Sequence, residues 1–222
     1  MHTGRRLAIV AITAAVMAGL IVWYVAGFLT VSPPAVSPRT TKGAQPTAQL
    51  TLQTVAGLGD GFTQPTWVSY LVKNSSGQWK HSTVFDLPAH ALVHVTVYQY
   101  DGASGLRNAF LARPQGVVGD TMTVDGKTLT ALDPEDASHT FAVAAYHLVV
   151  PLAAVPDDAK NQCENAPCTL AEAHRTITFS FRTGKPGKYR WQCFVPCAAG
   201  FIYGFGGPMQ TIGYMDGFLN VA

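Results

Sequence analysis

Residues 187–221 read GKYRWQCFVPCAAGFIYGFGGPMQTIGYMDGFLNV, and this stretch decides what kind of fold the chain adopts. It opens with a predicted strand ending at Cys193, passes through a loop rich in glycine and aromatic residues, and closes with a predicted strand over residues 218–221. Cys193 and Cys197 lie at the mouth of the loop, and Met215 lies where the loop meets the last strand. Sulfur ligands clustered between two strands are typical of copper sites, whereas paired cysteines outside the cytosol also form disulfides. The stretch therefore predicts a copper site or a Cys193–Cys197 disulfide.

The composition favours one turn-rich β-domain and excludes some classes of function. The 222 residues are 48% hydrophobic and include 21 glycines and 14 prolines, while long helix-forming stretches are scarce after residue 30. Only 13% of the residues are charged and the net charge is +2, so we expect no nucleic-acid partner. No GxSxG or HExxH motif supports a hydrolase.

An apolar segment near the N-terminus predicts a single transmembrane helix over residues 7–29. The segment contains no charged residue, and at ~1.5 Å per residue it is long enough to cross a hydrocarbon layer of ~30 Å. Arg5 and Arg6 precede it, so the positive-inside rule places residues 1–6 in the cytoplasm and the rest of this single-pass cell-membrane protein outside. A cleavable signal peptide is the alternative. The length of the apolar run and the lack of a small-x-small cleavage site favour an uncleaved anchor.

The remainder of the chain is predicted to be a flexible linker followed by a β-domain. Residues 30–49 are rich in proline, serine and threonine, which is typical of a mobile tether. Residues 50–222 are predicted to form one all-β sandwich, with an Asp125-Gly126 hairpin. In the strand over 91–100, Val93, Val95 and Val97 are expected to face the core. The other predicted strands cover residues 49–55, 66–72, 80–87, 139–143, 176–182 and 188–192.

Two further sets of residues could carry chemistry. Cys163 and Cys168 lie in a polar loop and are predicted to form a disulfide; a zinc site built from all four cysteines is the alternative, although the spacing does not match CxxC knuckles. His139 begins an alternating strand after an acidic turn, and His147 follows nearby. We rank His139 first as a metal ligand and His147 second. The remaining histidines of the β-domain are expected to be solvated: His81, His90, His94 and His174.

Three segments resemble copper proteins. Residues 136–156, DASHTFAVAAYHLVVPLAAVP, resemble the strand and loop of cytochrome c oxidase subunit II that carry the first histidine of its dinuclear copper centre. Residues 187–197 resemble the strand that leads into the CxxxC pair of that centre, and GYMDGFLNV at 213–221 resembles the end of small blue copper proteins, with its axial methionine. This resemblance to the cupredoxin superfamily covers residues 122–221. It implies a Greek-key β-sandwich in which His139, Cys193, Cys197 and Met215 bind copper. Apart from the resemblance, Met209 is an alternative to Met215 as the thioether ligand.

The chain departs from both families at the second histidine ligand. Both families place a histidine between the last cysteine and the methionine, but no histidine follows His174 here. Phe201 lies four residues after Cys197, and Gln210 lies five before Met215. The domain is therefore interpreted as a degenerate cupredoxin. The aromatic loop at 201–205 is expected to cover the site.

Three functional hypotheses follow. In the first, the domain binds copper and carries electrons for a respiratory chain, as an electron carrier or accessory subunit rather than a catalyst. In the second, Cys193 and Cys197 form a disulfide, and the domain has a structural or accessory role beside a respiratory oxidase or another redox protein. In the third, the cysteines and His139 serve copper delivery or thiol exchange.

Overall fold

The computed structural model of the chain describes residues 2–29, 32–58, 66–196 and 207–222. The chain forms two compact units, Met1–Ser32 and Pro33–Ala222. The first unit contains helix α1 (His2–Tyr24), which continues as a π-helical turn over Val25–Leu29. The stretch Gly4–Gly27 is long and apolar enough to cross a membrane. This confirms the predicted apolar helix, and by length and composition it fits either an anchor or a signal sequence.

The second unit is a β-sandwich of two sheets. Its described strands are β1 (Arg39–Thr41), β2 (Thr47–Leu58), β3 (Trp67–Lys73), β4 (Trp79–His81), β5 (Val84–Leu87), β6 (Leu92–Gln99), β7 (Met122–Val124), β8 (Lys127–Leu129), β9 (Ala137–Val143), β10 (Leu148–Ala153), β11 (Arg175–Arg182), β12 (Gly187–Gln192) and β13 (Asp216–Val221). One sheet has the order β4-β3-β2-β6-β11-β7-β8, with β1 on β2, and the other has the order β10-β9-β12-β13-β5. The pairs β2·β6 and β13·β5 are parallel. The predicted fold class, an all-β sandwich preceded by one apolar helix, is confirmed.

Strand β6 was predicted well because its side chains alternate between buried and half-buried positions. In β6 the odd-numbered residues are buried, Val93, Val95 and Val97 among them, whereas the even-numbered residues are half-buried. This is the pattern of a strand with one face on the core. The centre of the core is Trp191, whose ring stacks on Phe85 and Phe141 with centroid distances of 5.8 and 5.0 Å. The stacked rings thus connect β9, β12 and β5 of the sheet that carries the candidate site.

The predicted hairpin is confirmed, and two other expectations are corrected. Strands β7 and β8 pair across Asp125 and Gly126, both with positive φ, 50° and 79°. The linker predicted over 30–49 is too long, because Val36 is buried and pairs with Phe85, and because β1 and the start of β2 lie within this range. Residues 148–153, for which no strand was predicted, form β10; nearly all of them are buried, so they show no alternation.

Candidate metal centre

His139 lies in the interior of β9, between β10 and β12, and only 2% of its surface is exposed. Its Nε2 lies 2.9 Å from Oδ2 of Asp101. Asp101 follows β6, in the opposite sheet, and its side chain is 26% exposed. The main chain of this aspartate is held by Val155 N–H, which donates to Asp101 O at 3.0 Å. The imidazole is therefore oriented by a carboxylate that sequence reasoning missed.

Cys193 directly follows β12 and is 1% exposed. Its sulfur accepts a hydrogen bond from Thr140 N–H at 3.4 Å, and it also hydrogen bonds to the His139 side chain. Thr140 Oγ1 in turn accepts from Phe194 N–H at 2.8 Å. The ladder between β12 and β9 consists of a single pair, Gln192 with Ala142. Beyond that pair, the hydrogen bonds of Thr140 with Cys193 and Phe194, and the stacked rings of Phe141 and Trp191, connect the two segments.

The methionines predicted as ligands are buried beside this cysteine. Cys193 N–H donates to Met215 O at 2.9 Å, and Met215 N–H donates to Pro208 O at 3.0 Å. Met209 is also buried, and its carbonyl accepts from Nε2 of Gln192 at 3.3 Å. The main chain of Met215 is therefore fixed directly to the cysteine.

Electrostatics favour a charged pair at this position. Burial lowers the pKa of His139, but hydrogen bonds to Asp101 and Cys193 outweigh burial and raise that pKa to about 9. Burial raises the pKa of Asp101, but the hydrogen bond with His139, the charge of His139 and the N–H of Gly102 together outweigh burial and leave that pKa below the usual value. The carboxylate of Asp101 thus favours the protonated form of the His139 ring.

The structure brings together part of the predicted site. His139 and Cys193 are in contact, and Met215 is bonded to Cys193 through the main chain. Cys197 lies outside the described residues, as do Phe201, Tyr203 and Phe205 of the predicted covering loop. His147 is exposed and lies at the far end of the β9–β10 hairpin, because Leu148 pairs with Val143 whereas His139 pairs with Leu152.

Sequence reasoning missed Asp101 and Thr140. Thr140 follows the predicted ligand directly, so its N–H could have been considered as a partner of the site. Asp101 stands before Gly102 at the end of an alternating strand, a pattern typical of a turn. Only the packing of one sheet on the other brings its carboxylate to His139.

The other histidines match the expectation to different degrees. His90 is exposed in a turn. His94 and His174 are half-buried and bonded, to Ser180 Oγ at 2.9 Å and Glu172 O at 2.8 Å. His81 was expected to be solvated, but it is half-buried, and its Nε2 lies 2.5 Å from Gly213 O. It lies at the end of β4, and Gly213 comes two residues before Met215.

The predicted Cys163–Cys168 disulfide is confirmed. Gln53 holds its loop on the sandwich through two hydrogen bonds to the Cys168 main chain, at 2.7 and 3.0 Å. Across the described ranges, these two cysteines and Glu172 are the one group of three His, Cys or acidic ligand atoms within 4.8 Å of one another. Because Cys163 and Cys168 are bonded to each other, neither offers a thiolate to a metal. With this disulfide formed, a zinc site built from all four cysteines is excluded.

Comparisons with known proteins give remote structural likenesses. No family model and no curated protein sequence matches the chain. A structure of the copper protein rusticyanin is 16% identical, with a TM-score of 0.35 over 88% of this chain and 87% of that chain. Rusticyanin from Thiobacillus ferrooxidans is 15% identical, with a TM-score of 0.31 over 88% and 86% of the two chains. A chain of a heme-copper terminal oxidase dimer is 12% identical, with a TM-score of 0.35 and full coverage of both chains, 100% and 100%. TM-scores of this size carry no functional conclusion, and what the site can do rests on its own residues.

Proposed function

We propose that the chain binds copper between His139 and Cys193 and carries electrons at the outer face of a membrane. The observation that supports this is the contact of a buried imidazole with a buried thiol from adjacent strands. Imidazole nitrogen and cysteine sulfur are the donor types of copper electron-transfer sites. Bound copper would supply a one-electron couple between Cu(I) and Cu(II).

The residues around the two proposed ligands fit such a site. Asp101 accepts from Nε2 of His139, as the residues behind a ligating histidine usually do, so Nδ1 is the nitrogen that would coordinate. Thr140 N–H donates to the sulfur of Cys193, and hydrogen bonds to this sulfur tune the redox potential of copper–thiolate sites. Asp101 would thus orient the ring, and Thr140 would stabilise electron density on the sulfur.

Met215, or Met209 in its place, is the proposed thioether ligand, and Cys197 is the proposed second thiolate. Both methionines are buried. Met215 O accepts from Cys193 N–H, and Met209 O accepts from the side chain of Gln192, the residue before Cys193. In the proposal these sulfurs replace the histidine that cupredoxins place in this loop. Soft ligands of this kind favour Cu(I), and deprotonation of the thiols makes copper affinity rise with pH.

The proposed location is the extracytoplasmic side of the cell membrane, with α1 as a single-pass anchor. The Cys163–Cys168 disulfide supports an oxidising compartment, and the arginines before the apolar segment support this orientation. A respiratory oxidase or another redox protein is the proposed partner.

The alternative function is a domain without copper, in which Cys193 and Cys197 form a disulfide and the role is structural or accessory. The absence of any histidine after His174 favours it. The two functions make opposite predictions about metal content, so one titration separates them.

The test uses the full-length chain in detergent, reduced mildly without oxygen and titrated with copper. We expect saturable binding that requires Cys193, and after oxidation a thiolate-to-Cu(II) charge-transfer band. The band should disappear in Cys193→Ser and remain in a Cys163→Ser/Cys168→Ser control. A folded chain that binds no copper, with a mass showing both cysteine pairs oxidised, refutes copper binding and supports the alternative. Copper binding unchanged in Cys193→Ser refutes the proposed site.

A further inference from the structure

The turn that leads into Met215 is fixed to neighbouring strands through the main chain of Gly213. Gly213 O accepts hydrogen bonds from Nε2 of His81 at 2.5 Å and from Oγ of Ser69 at 2.8 Å. Gly213 N–H donates to Oγ1 of Thr83 at 2.7 Å. Ser69 lies in β3, His81 ends β4, and Thr83 lies in the link from β4 to β5. We call these three side chains the Gly213 clamp.

The clamp is built for one conformation of the turn. Gly213 has a φ of 104°, which side chains other than hydrogen rarely allow. Ser69 and Thr83 are fully buried, so their hydroxyl groups have no water to exchange with. Since Gly213 O can only accept, Nε2 of His81 carries the hydrogen of this bond.

Only two peptide units separate the clamp from the candidate site. Gly213 and Met215 are two residues apart, a distance that the chain spans with at most about 7 Å. The main chain of Met215 is bonded to two other residues: its O accepts from Cys193 N–H, and its N–H donates to Pro208 O. Between these points Tyr214 is buried, with its ring at centroid distances of 5.2 Å from Trp67 and 5.8 Å from His81. Because only the packed residue Tyr214 lies between them, we expect a shift of Gly213 to move Met215.

We propose that the Gly213 clamp sets the position of Met215 against Cys193, with His81 as its positioning residue and not a ligand. This inference rests on the proposed copper site for its functional meaning. In copper sites with a weak axial ligand, that ligand tunes the redox potential. The clamp would then influence the redox potential of the copper site without binding the metal.

The test compares two substitutions of His81 in the full-length chain in detergent. His81→Gln keeps an N–H donor for Gly213 O, whereas His81→Phe keeps a ring against Tyr214 and removes the donor. In the metal-free chain, we expect His81→Phe to speed hydrogen exchange of the Cys193 and Met215 amides about tenfold, the factor for loss of one ordinary hydrogen bond. His81→Gln should restore most of the protection, and amides of β6 should not change.

The copper-loaded chain provides the second readout. His81→Phe should shift the charge-transfer band and the redox potential with the copper stoichiometry kept, and His81→Gln should lie near the original chain. If His81→Phe does not fold, Thr83→Val replaces it, since it removes the bond to Gly213 N–H with little change in volume.

Each outcome decides the inference. Unchanged exchange of the Cys193 and Met215 amides in a folded clamp variant refutes the clamp, whether or not copper binds. Acceleration that includes β6 equally shows a general loss of stability and also refutes it. If the chain binds no copper, the proposed function fails, and the exchange pattern still decides whether the clamp holds Met215.

Discussion

Replacing Arg190 by methionine should destabilise the sandwich next to the candidate site. Asp216 is fully buried directly after Met215, and Arg190 binds its carboxylate in a bidentate manner, Nε donating to Oδ1 and Nη2 to Oδ2. The Nε to Oδ1 distance is 2.9 Å. The hydrogen bond to Asp216 is the largest influence on the pKa of Arg190 and raises it. Arg190→Met removes both bonds and leaves the carboxylate in the interior.

The expected loss in the free energy of unfolding depends on the burial of Asp216 and on the exposure of Arg190. Stranding a buried charge typically costs ~3–5 kcal/mol. The Arg190 side chain is 47% exposed, so water reaches the vacated position, and we expect a smaller loss of about 2–3 kcal/mol. For a domain of this size, that lowers the midpoint of thermal unfolding by roughly 5–10 °C.

Thermal and urea unfolding of the full-length chain, followed by circular dichroism of the β-domain, would measure this loss. Arg175→Met is the matched control, because Arg175 pairs with Asp125 at 2.9 Å while both side chains are exposed, 37% and 42%. The control should lose less than about 1 kcal/mol. Equal losses in the two variants would show that burial of Asp216 does not set the energy of the pair. A double variant with Asp216→Asn should recover part of the loss, since no charge is then left buried.

Three further predictions concern pH, the disulfide and the proposed metal site. Burial lowers the pKa of His81, so its neutral ring is favoured in the folded state. The contribution of His81 to the free energy of unfolding should be fully present above about pH 6.5 and fall as the pH drops below that value. Urea midpoints that change with pH equally in His81→Gln and in the original chain would contradict this. Replacing Cys163 and Cys168 by serine should cost about 2 kcal/mol because the closed loop is short, and an unchanged urea midpoint relative to the original chain would show that the link does not stabilise the fold. Asp101→Asn should weaken copper binding about 10- to 100-fold in a chelator competition, and unaltered affinity would mean that the carboxylate does not support His139 as a ligand.

Local patterns predicted those parts of the fold whose cause is local. Alternation in β6 identified the buried valines, and Asp125-Gly126 identified the hairpin, because in both cases the deciding side chains are neighbours in sequence. The segment around Val36 was misjudged because one buried side chain and a single bridge to Phe85 outweigh a composition typical of linkers. Strand β10 was not predicted because burial on both faces removes the alternation.

The candidate site was predictable only as far as its residues resemble a motif. His139 and Cys193 were expected together from the resemblance, and the structure places them in contact. Asp101 and His81 depend on the packing of one segment against another that is distant in sequence, so no spacing rule points to them. The deciding contacts, of Asp101 with His139 and of His81 with Gly213, join residues that are 38 and 132 positions apart in sequence.

The single-pair ladder between β9 and β12 has a consequence for when the site comes into being. His139 and Cys193 are far apart in sequence, and they meet only after β12 has docked beside β9 at Gln192 and Ala142. A chain still threading through an export channel lacks this junction. Under the proposed function, copper can therefore bind between His139 and Cys193 only after these two strands have paired.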